Sequence, residues 1–251
     1  RHITNTIEWF YFEDVTSGRE RDASVLVLGD KETTAPFVTL LEPRVHQVSR
    51  RLDDSTYDYV VIPVLTKKIL RLFQGDVHTM LHALTETWLK KGGRILMGIE
   101  NALDIDRMAS GDRKEDVLYL RWSELASLRA TLREEQPGAR ETLYYLTPEL
   151  SIPLHFYSDA RMPDVSEEDE KTALLIRENR FREFVPAYFY IYQPDGSVRP
   201  KARDYRRFLP DYIKYNSTRK PAYAIKTLLY RDDQGKRFAV KAGTTPEANA
   251  H

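Results

Sequence analysis

The sequence predicts an α/β fold: a parallel sheet with flanking helices, shortened at one edge, giving way to a β-rich C-terminal extension. Three features carry that reading. Short, continuous apolar runs end in polar residues, an amphipathic stretch closed by Gly92-Gly93 joins two of them, and the second half changes to aromatic strands and hairpin turns.

The first run, Ala23-Ser24-Val25-Leu26-Val27-Leu28-Gly29-Asp30, reads as a strand apolar on both faces, as between two helical layers. The carboxyl end of such a strand is where an open α/β sheet holds its ligand. Residues 33–41 supply a short helix with Pro36 in its first turn, and residues 45–48 a short second strand. Residues 57–65 form the third strand. From Ile69 to Trp88 apolar residues recur at steps of three and four, and Lys90-Lys91-Gly92-Gly93 closes them, which predicts one long helix with a basic last turn and a glycine stop. Residues 94–101 are the next buried strand, so strand, helix, Gly-Gly and strand make a crossover unit. Trp122 opens a helix running to about Glu135, stopped by Gln136-Pro137-Gly138, and residues 142–146 resume as strand.

In the second half, residues 163–170 are an acidic loop and residues 187–192 an aromatic strand. Residues 222–230 and 236–241 flank Arg231-Asp232-Asp233-Gln234-Gly235 as a hairpin. The expected division is an α/β domain over 1–160 and the extension over 161–251.

Lys and Arg together number 38, and so do Asp and Glu, so no net field attracts nucleic acid or anionic lipid. No nucleic-acid partner is expected. Hydrophobic residues at 41% supply a core, while 30% charged residues and a mean hydropathy of −0.53 describe a well-solvated surface. No apolar run approaches the ~18 residues of a membrane span. The absence of cysteine excludes disulfides, thiolate metal sites and cysteine nucleophiles. The chain starts at Arg1 and residues 248–251 read as an interrupted helix, so a piece of a longer protein is expected.

The succession Val25-Leu26-Val27-Leu28-Gly29, Tyr57-Asp58-Tyr59-Val60-Val61 and Trp88-Leu89-Lys90-Lys91-Gly92-Gly93-Arg94-Ile95-Leu96 resembles a class I S-adenosylmethionine-dependent methyltransferase. These runs correspond to that family's glycine-rich cofactor strand, its central strand and its helix-to-strand junction. The likeness narrows with Gly98-Ile99-Glu100-Asn101-Ala102-Leu103, with Leu143-Tyr144-Tyr145 before Pro148, and with Ile152-Pro153-Leu154-His155-Phe156-Tyr157-Ser158-Asp159 before Pro163. It continues through Tyr212-Ile213-Lys214-Tyr215-Asn216 with Arg219, and Val240-Lys241 with Glu247. These are similar to bacterial methyltransferase-like modules of multidomain proteins with glycosyltransferase or kinase-like parts, assigned to cell-surface polysaccharide assembly. The resemblance runs from Ile7 to His251. It implies a Rossmann-like fold, S-adenosylmethionine as cofactor, a sugar or glycan hydroxyl as acceptor, a cytoplasmic location, and glycosyltransferase or kinase-like flanking domains of the same polypeptide as partners.

On that resemblance Gly29 and Asp30 line the cofactor and Glu100 and Asn101 shape the pocket mouth. Asp58 and His155 are the candidates for the base that takes the acceptor proton. The sequence also departs from the family. The loop Leu28-Gly29-Asp30-Lys31-Glu32-Thr33-Thr34 has one glycine where the family has two or three. The ribose-gripping acid expected roughly twenty residues past that loop has no counterpart in Val45-His46-Gln47-Val48-Ser49-Arg50-Arg51 before Asp53-Asp54. Asp58 follows Gly29 by 29 positions (58 − 29), about half of what the family spends, so one strand-helix unit is expected to be missing at the sheet edge. Thr66 and Lys67 replace an acid and an aromatic at the pocket mouth.

Three readings stand. The cofactor pocket is degenerate and empty, and the module is structural or positions an acceptor; or it is an active O-methyltransferase on a glycan; or it docks a glycosyltransferase or kinase-like partner through a Tyr/Arg-rich second half that includes Tyr188, Tyr190, Tyr192, Tyr215 and Arg219. His78 and His82 have the four-residue spacing of zinc ligands, but Thr79 stands where a catalytic Glu would and no third ligand is suggested, so no metal is expected. Phe238-Ala239-Val240-Lys241 with Glu247 resembles the kinase strand-and-helix ion pair. Without a glycine-rich loop or catalytic Asp, the hairpin is read as a closing edge or the first strands of a kinase-like lobe.

Overall fold

The computed structural model describes residues 22–151, 153–167, 169–197, 209–216 and 223–243. The predicted parallel sheet is present. β1 (Ser24–Val27) lies between β2 (Gln47–Ser49) and β3 (Tyr57–Ile62), and β4 (Leu89–Asn101) follows beside β3, all parallel. A short β5 (Tyr119–Leu120) continues parallel to the end of β4. β1 is buried along its whole length, which is why its sequence is a continuous apolar run rather than an alternating one.

Only α1 (Lys31–Leu41) and β2 lie between β1 and β3, and among the described residues β2 is the sheet edge. This is the shortening that the 29-position spacing implies. α1 starts two residues earlier than expected, so Pro36 falls in its second turn, where its missing N–H forgoes one helix hydrogen bond.

The long helix expected over residues 69–88 is instead broken. α2 (Lys67–Leu72) and α3 (Val77–Ala83) are separated at Gln74, whose φ of 52° leaves the helical region, and Asp76 caps the second piece by accepting from the Thr79 N–H at 2.9 Å. The apolar stripe does not register the break, because Ile69 of α2 and Val77, Met80 and Leu81 of α3 are buried in one cluster on one face of the sheet. One wide π turn (Leu84–Trp88) then leads into β4. Lys90 to Gly93, expected as the last helical turn, lie within β4. β3 advances from Tyr57 to Tyr59 while β4 advances from Leu89 to Arg94, so the Lys-Lys-Gly-Gly segment bulges out of register.

After α4 (Ile105–Ser110) comes α5 (Trp122–Glu135), with the bounds expected from sequence, burying Leu125 and Leu132. β6 (Arg140–Thr147), β7 (His155–Tyr157), α6 (Glu170–Arg177), α7 (Phe181–Phe184), β8 (Ala187–Gln193), β9 (Tyr212–Tyr215), β10 (Ile225–Arg231) and β11 (Arg237–Gly243) complete the described chain. β8 inserts between β4 and β6, antiparallel to both. The order across the sheet is therefore β11-β10-β9-β7-β6-β8-β4-β3-β1-β2. Residues on both sides of the boundary expected at 160 share this sheet. The predicted hairpin is β10 and β11, antiparallel from Arg231↔Arg237 to Ile225↔Gly243. Glu247 and Arg219 lie outside the described residues.

Side chains alternate between two layers. Val25, Val27, Tyr59, Val61, Tyr144 and Phe189 pack toward α1, which contributes Phe37 and Leu41. Leu26, Val60, Ile62, Met97, Tyr145 and Tyr190 pack toward α2, α3 and α5. Tyr188, Tyr190 and Tyr192, read from sequence as part of a partner-docking half, are core residues in β8, each at most 1% exposed. Tyr215 is likewise buried, its ring against Phe156. Among the described residues no helix is long and apolar enough to cross a membrane.

Candidate functional site

The carboxyl ends of β1, β2 and β3 open onto a cleft of ≈ 410 Å³. β1 lies between β2 and β3, so the chain leaves it first to one side and later resumes on the other, the switch point at which open α/β sheets bind ligands. Leu28, Leu52 and Ile69 give the cleft an apolar floor, and Leu72 stands at its lip. Gly29 and Asp30 line it where the chain turns from β1 into α1. A Cβ on Gly29 would stand 3.0 Å from both Thr33 Oγ1 and Thr34 Cγ2, so a side chain there would crowd the first turn of α1. The Asp30 carboxylate accepts from the Thr33 N–H at 2.8 Å and the Thr33 hydroxyl at 3.1 Å, which makes it the N-cap of α1. Asp30→Ala is expected to lower the stability of the folded chain by about 1 kcal/mol, read by chemical denaturation.

Arg50 and Arg51 follow directly on β2, and Lys68 lies in the first turn of α2. All three side chains are exposed and make no ion pair with the described residues. Thr66 caps α2, accepting from the Ile69 N–H at 3.2 Å. Asp116 supplies the second lining carboxylate, and its backbone carbonyl accepts from the Lys67 N–H at 2.8 Å. The lining therefore holds three cations against two acids, and one of those acids is already engaged with its own helix.

Of the residues expected at a site from sequence, Gly29 and Asp30 meet in this cleft and the other four do not line it. Asp58 is the second residue of β3, at the amino end of the strand and so at the opposite end of the sheet. Its Oδ2 accepts from the Ser24 N–H at 2.9 Å, the Ser24 hydroxyl at 3.0 Å and Lys90 Nζ at 2.9 Å. Burial alone would raise its carboxyl, but the hydrogen bonds from Ser24 and Lys90 outweigh that and hold it below the usual range. A carboxylate so held is a weak base.

His155 opens β7, with four strands between β7 and β1. Its Nδ1 is 2.8 Å from the Tyr212 hydroxyl, and its ring is stacked on Tyr157 with centroids 5.6 Å apart. Glu100 pairs with Arg107 at 2.8 Å near the end of β4; burial pushes its carboxyl up against the opposing pull of that guanidinium. Asn101 is fully buried. Its amide donates to the Glu183 and Val185 carbonyls at 2.8 and 2.7 Å, and its Oδ1 accepts from the Leu103 N–H at 3.0 Å, so it ties the end of β4 to the segment before β8. His78 and His82 each pair with a different carboxylate, Glu135 at 2.7 Å and Glu86 at 3.2 Å.

Sequence reasoning did not select Arg50, Arg51, Lys68 and Asp116 as lining residues. The one local signal was an Arg-Arg pair immediately after a short strand, at the end where ligands sit.

No protein-family model matches the chain, and no curated protein sequence does. Among solved structures, an S-adenosylmethionine-dependent methyltransferase from Archaeoglobus fulgidus is similar at 13% identity with a TM-score of 0.41, over 75% of this chain and 94% of that one. The plantazolicin methyltransferase BamL, solved with a desmethyl-plantazolicin analogue and S-adenosylhomocysteine, is similar at 11% identity and TM-score 0.41, over 76% and 84%. A possible histamine N-methyltransferase from Thermotoga maritima gives 13% and 0.35, over 76% and 90%. These likenesses are too loose to carry a binding site from those chains to this one.

Proposed function

We propose that the chain is a methyltransferase-like module whose S-adenosylmethionine seat is degenerate, and that it serves a structural or acceptor-positioning role. One observation carries this. At the end of β2, where a carboxylate would grip the cofactor's ribose hydroxyls, stand Arg50 and Arg51, and among the described residues β2 is the last strand on that side of the sheet. The cofactor bears a sulfonium and an ammonium against one carboxylate, so a rim of three cations with no ion-pair partner among the described residues disfavours it. The polysaccharide setting, the cytoplasmic location and the glycosyltransferase or kinase-like neighbours rest on the sequence resemblance alone.

Calorimetric titration with S-adenosylmethionine and S-adenosylhomocysteine tests the reading. The expected result is no binding tighter than about 1 mM, and micromolar binding of either ligand would overturn it.

A second reading, a working O-methyltransferase on a glycan hydroxyl, is favoured by the cleft itself, which remains open beside Gly29. Transfer of labelled methyl groups to cell-envelope oligosaccharides would decide for it.

A further inference from the structure

We propose that the cleft over β1, β2 and β3 binds a nucleoside phosphate, anchored by its phosphate on Arg50, Arg51 and Lys68 rather than by its ribose on an acid; this rests on the reading that the S-adenosylmethionine seat is lost. The three cations come from two separate elements, the end of β2 and the first turn of α2, and line one opening. None has an ion-pair partner among the described residues. An anion between them would pair charges that otherwise only repel one another, and guanidinium groups present donors in the planar fork that phosphate oxygens match.

The floor argues for more than an inorganic ion. Leu28, Leu52 and Ile69 line the cleft, and Leu72 at its lip is 58% exposed, one of the few large apolar side chains left open on the described surface. Leu28 and Ile69 are already buried, but a bare phosphate would leave Leu72 and the half-buried Leu52 wet, whereas a ring carried on the phosphate covers them. A volume of ≈ 410 Å³ is in the range of small-molecule sites and gives such a ligand room. Asp116, the lining carboxylate not spent on a helix cap, offers an acceptor to an amino or hydroxyl group away from the phosphate. Asp30 keeps its charge beside the cleft, where three cations outnumber it and Asp116 together.

The test is calorimetric titration of the whole chain with ADP, inorganic pyrophosphate, adenosine and S-adenosylhomocysteine. ADP is expected to bind at least about ten-fold more tightly than adenosine or pyrophosphate, and to weaken as salt is raised. Arg50→Ala with Arg51→Ala is expected to lower ADP affinity about ten-fold or more, with folding checked by circular dichroism. Leu72→Asn is expected to weaken ADP while leaving pyrophosphate nearly unchanged, because it removes apolar contact without adding charge. ADP binding that is insensitive to the double arginine variant, or no binding of ADP at about 1 mM, would overturn the proposal. Micromolar binding of S-adenosylhomocysteine would overturn the degenerate seat and this proposal with it. Silence of both ligands would overturn the phosphate site alone.

Discussion

Glu141→Ala is expected to cost about 3–5 kcal/mol of folding stability, measured by chemical denaturation. Glu141 stands near the start of β6 with its side chain only 10% exposed. It accepts from Arg129 at 3.1–3.2 Å, from Arg133, and from the Tyr190 hydroxyl at 2.6 Å. Arg129 is equally buried. Removing the carboxylate therefore strands a buried guanidinium and a buried hydroxyl at once, and the cost is that of the groups left behind rather than of the pair itself.

The same cluster makes stability depend on acid. Burial would raise the Glu141 carboxyl, yet the hydrogen bonds from Arg129 and Tyr190, with the two guanidinium charges, outweigh it and hold the carboxyl below its ordinary range. A folded-state value below the unfolded one means that the contribution is fully present above the unfolded value and is lost as pH falls through the folded one. The wild-type chain should lose stability below about pH 4.3, and the Glu141→Gln variant should lack this part of the slope.

Gly98→Ala should be nearly as damaging, about 3 kcal/mol, or a fall of roughly 6–12 °C in Tm. Gly98 lies in the middle of β4, opposite Phe189 of β8, and its carbonyl accepts from the Leu65 N–H at 2.8 Å. A Cβ there would run into the Pro63 carbonyl oxygen, well inside van der Waals contact, and approach Leu150 Cδ1 to 3.0 Å. The obstacle is backbone at a buried residue, so it cannot swing aside as a flexible side chain would. Gly138→Ala is the control. Nothing lies within 4 Å of the position its Cβ would take, so a Tm close to wild type is expected.

The strands were legible where burial on both faces writes itself as an unbroken apolar run, as in residues 25–28 and 59–62. The end of α5 was legible because Gln136-Pro137-Gly138 stops a helix locally. The break between α2 and α3 was not, because the core sees only a stripe, and two helices burying the same stripe look like one. The place of β8 was hidden for a different reason: pairing with β4 across some ninety positions (187 − 100 = 87 at its nearest end) leaves no local mark.

Of the site, Gly29 and Asp30 could be read because they end an apolar strand. Asp58 could have been discounted in the same way, since it begins one. Arg50, Arg51 and Lys68 could not be read as a group, since a charge on a loop declares no direction until the elements beneath it are assembled. Glu100 and Asn101 matched a motif, but the contacts of both are internal, with Arg107, Glu183, Val185 and Leu103.

The late arrival of β8 has a consequence for biosynthesis. As the polypeptide emerges from the ribosome, β1, β3 and β4 can associate early, yet the flank of β4 along Ile95 to Glu100 stays bare until residues 187–192 have been translated. β6 waits as well, since its other long partner is the same strand. Through that interval the nascent sheet presents an apolar template for foreign strands, and chaperones that shield such edges would raise its yield most during this stretch of translation.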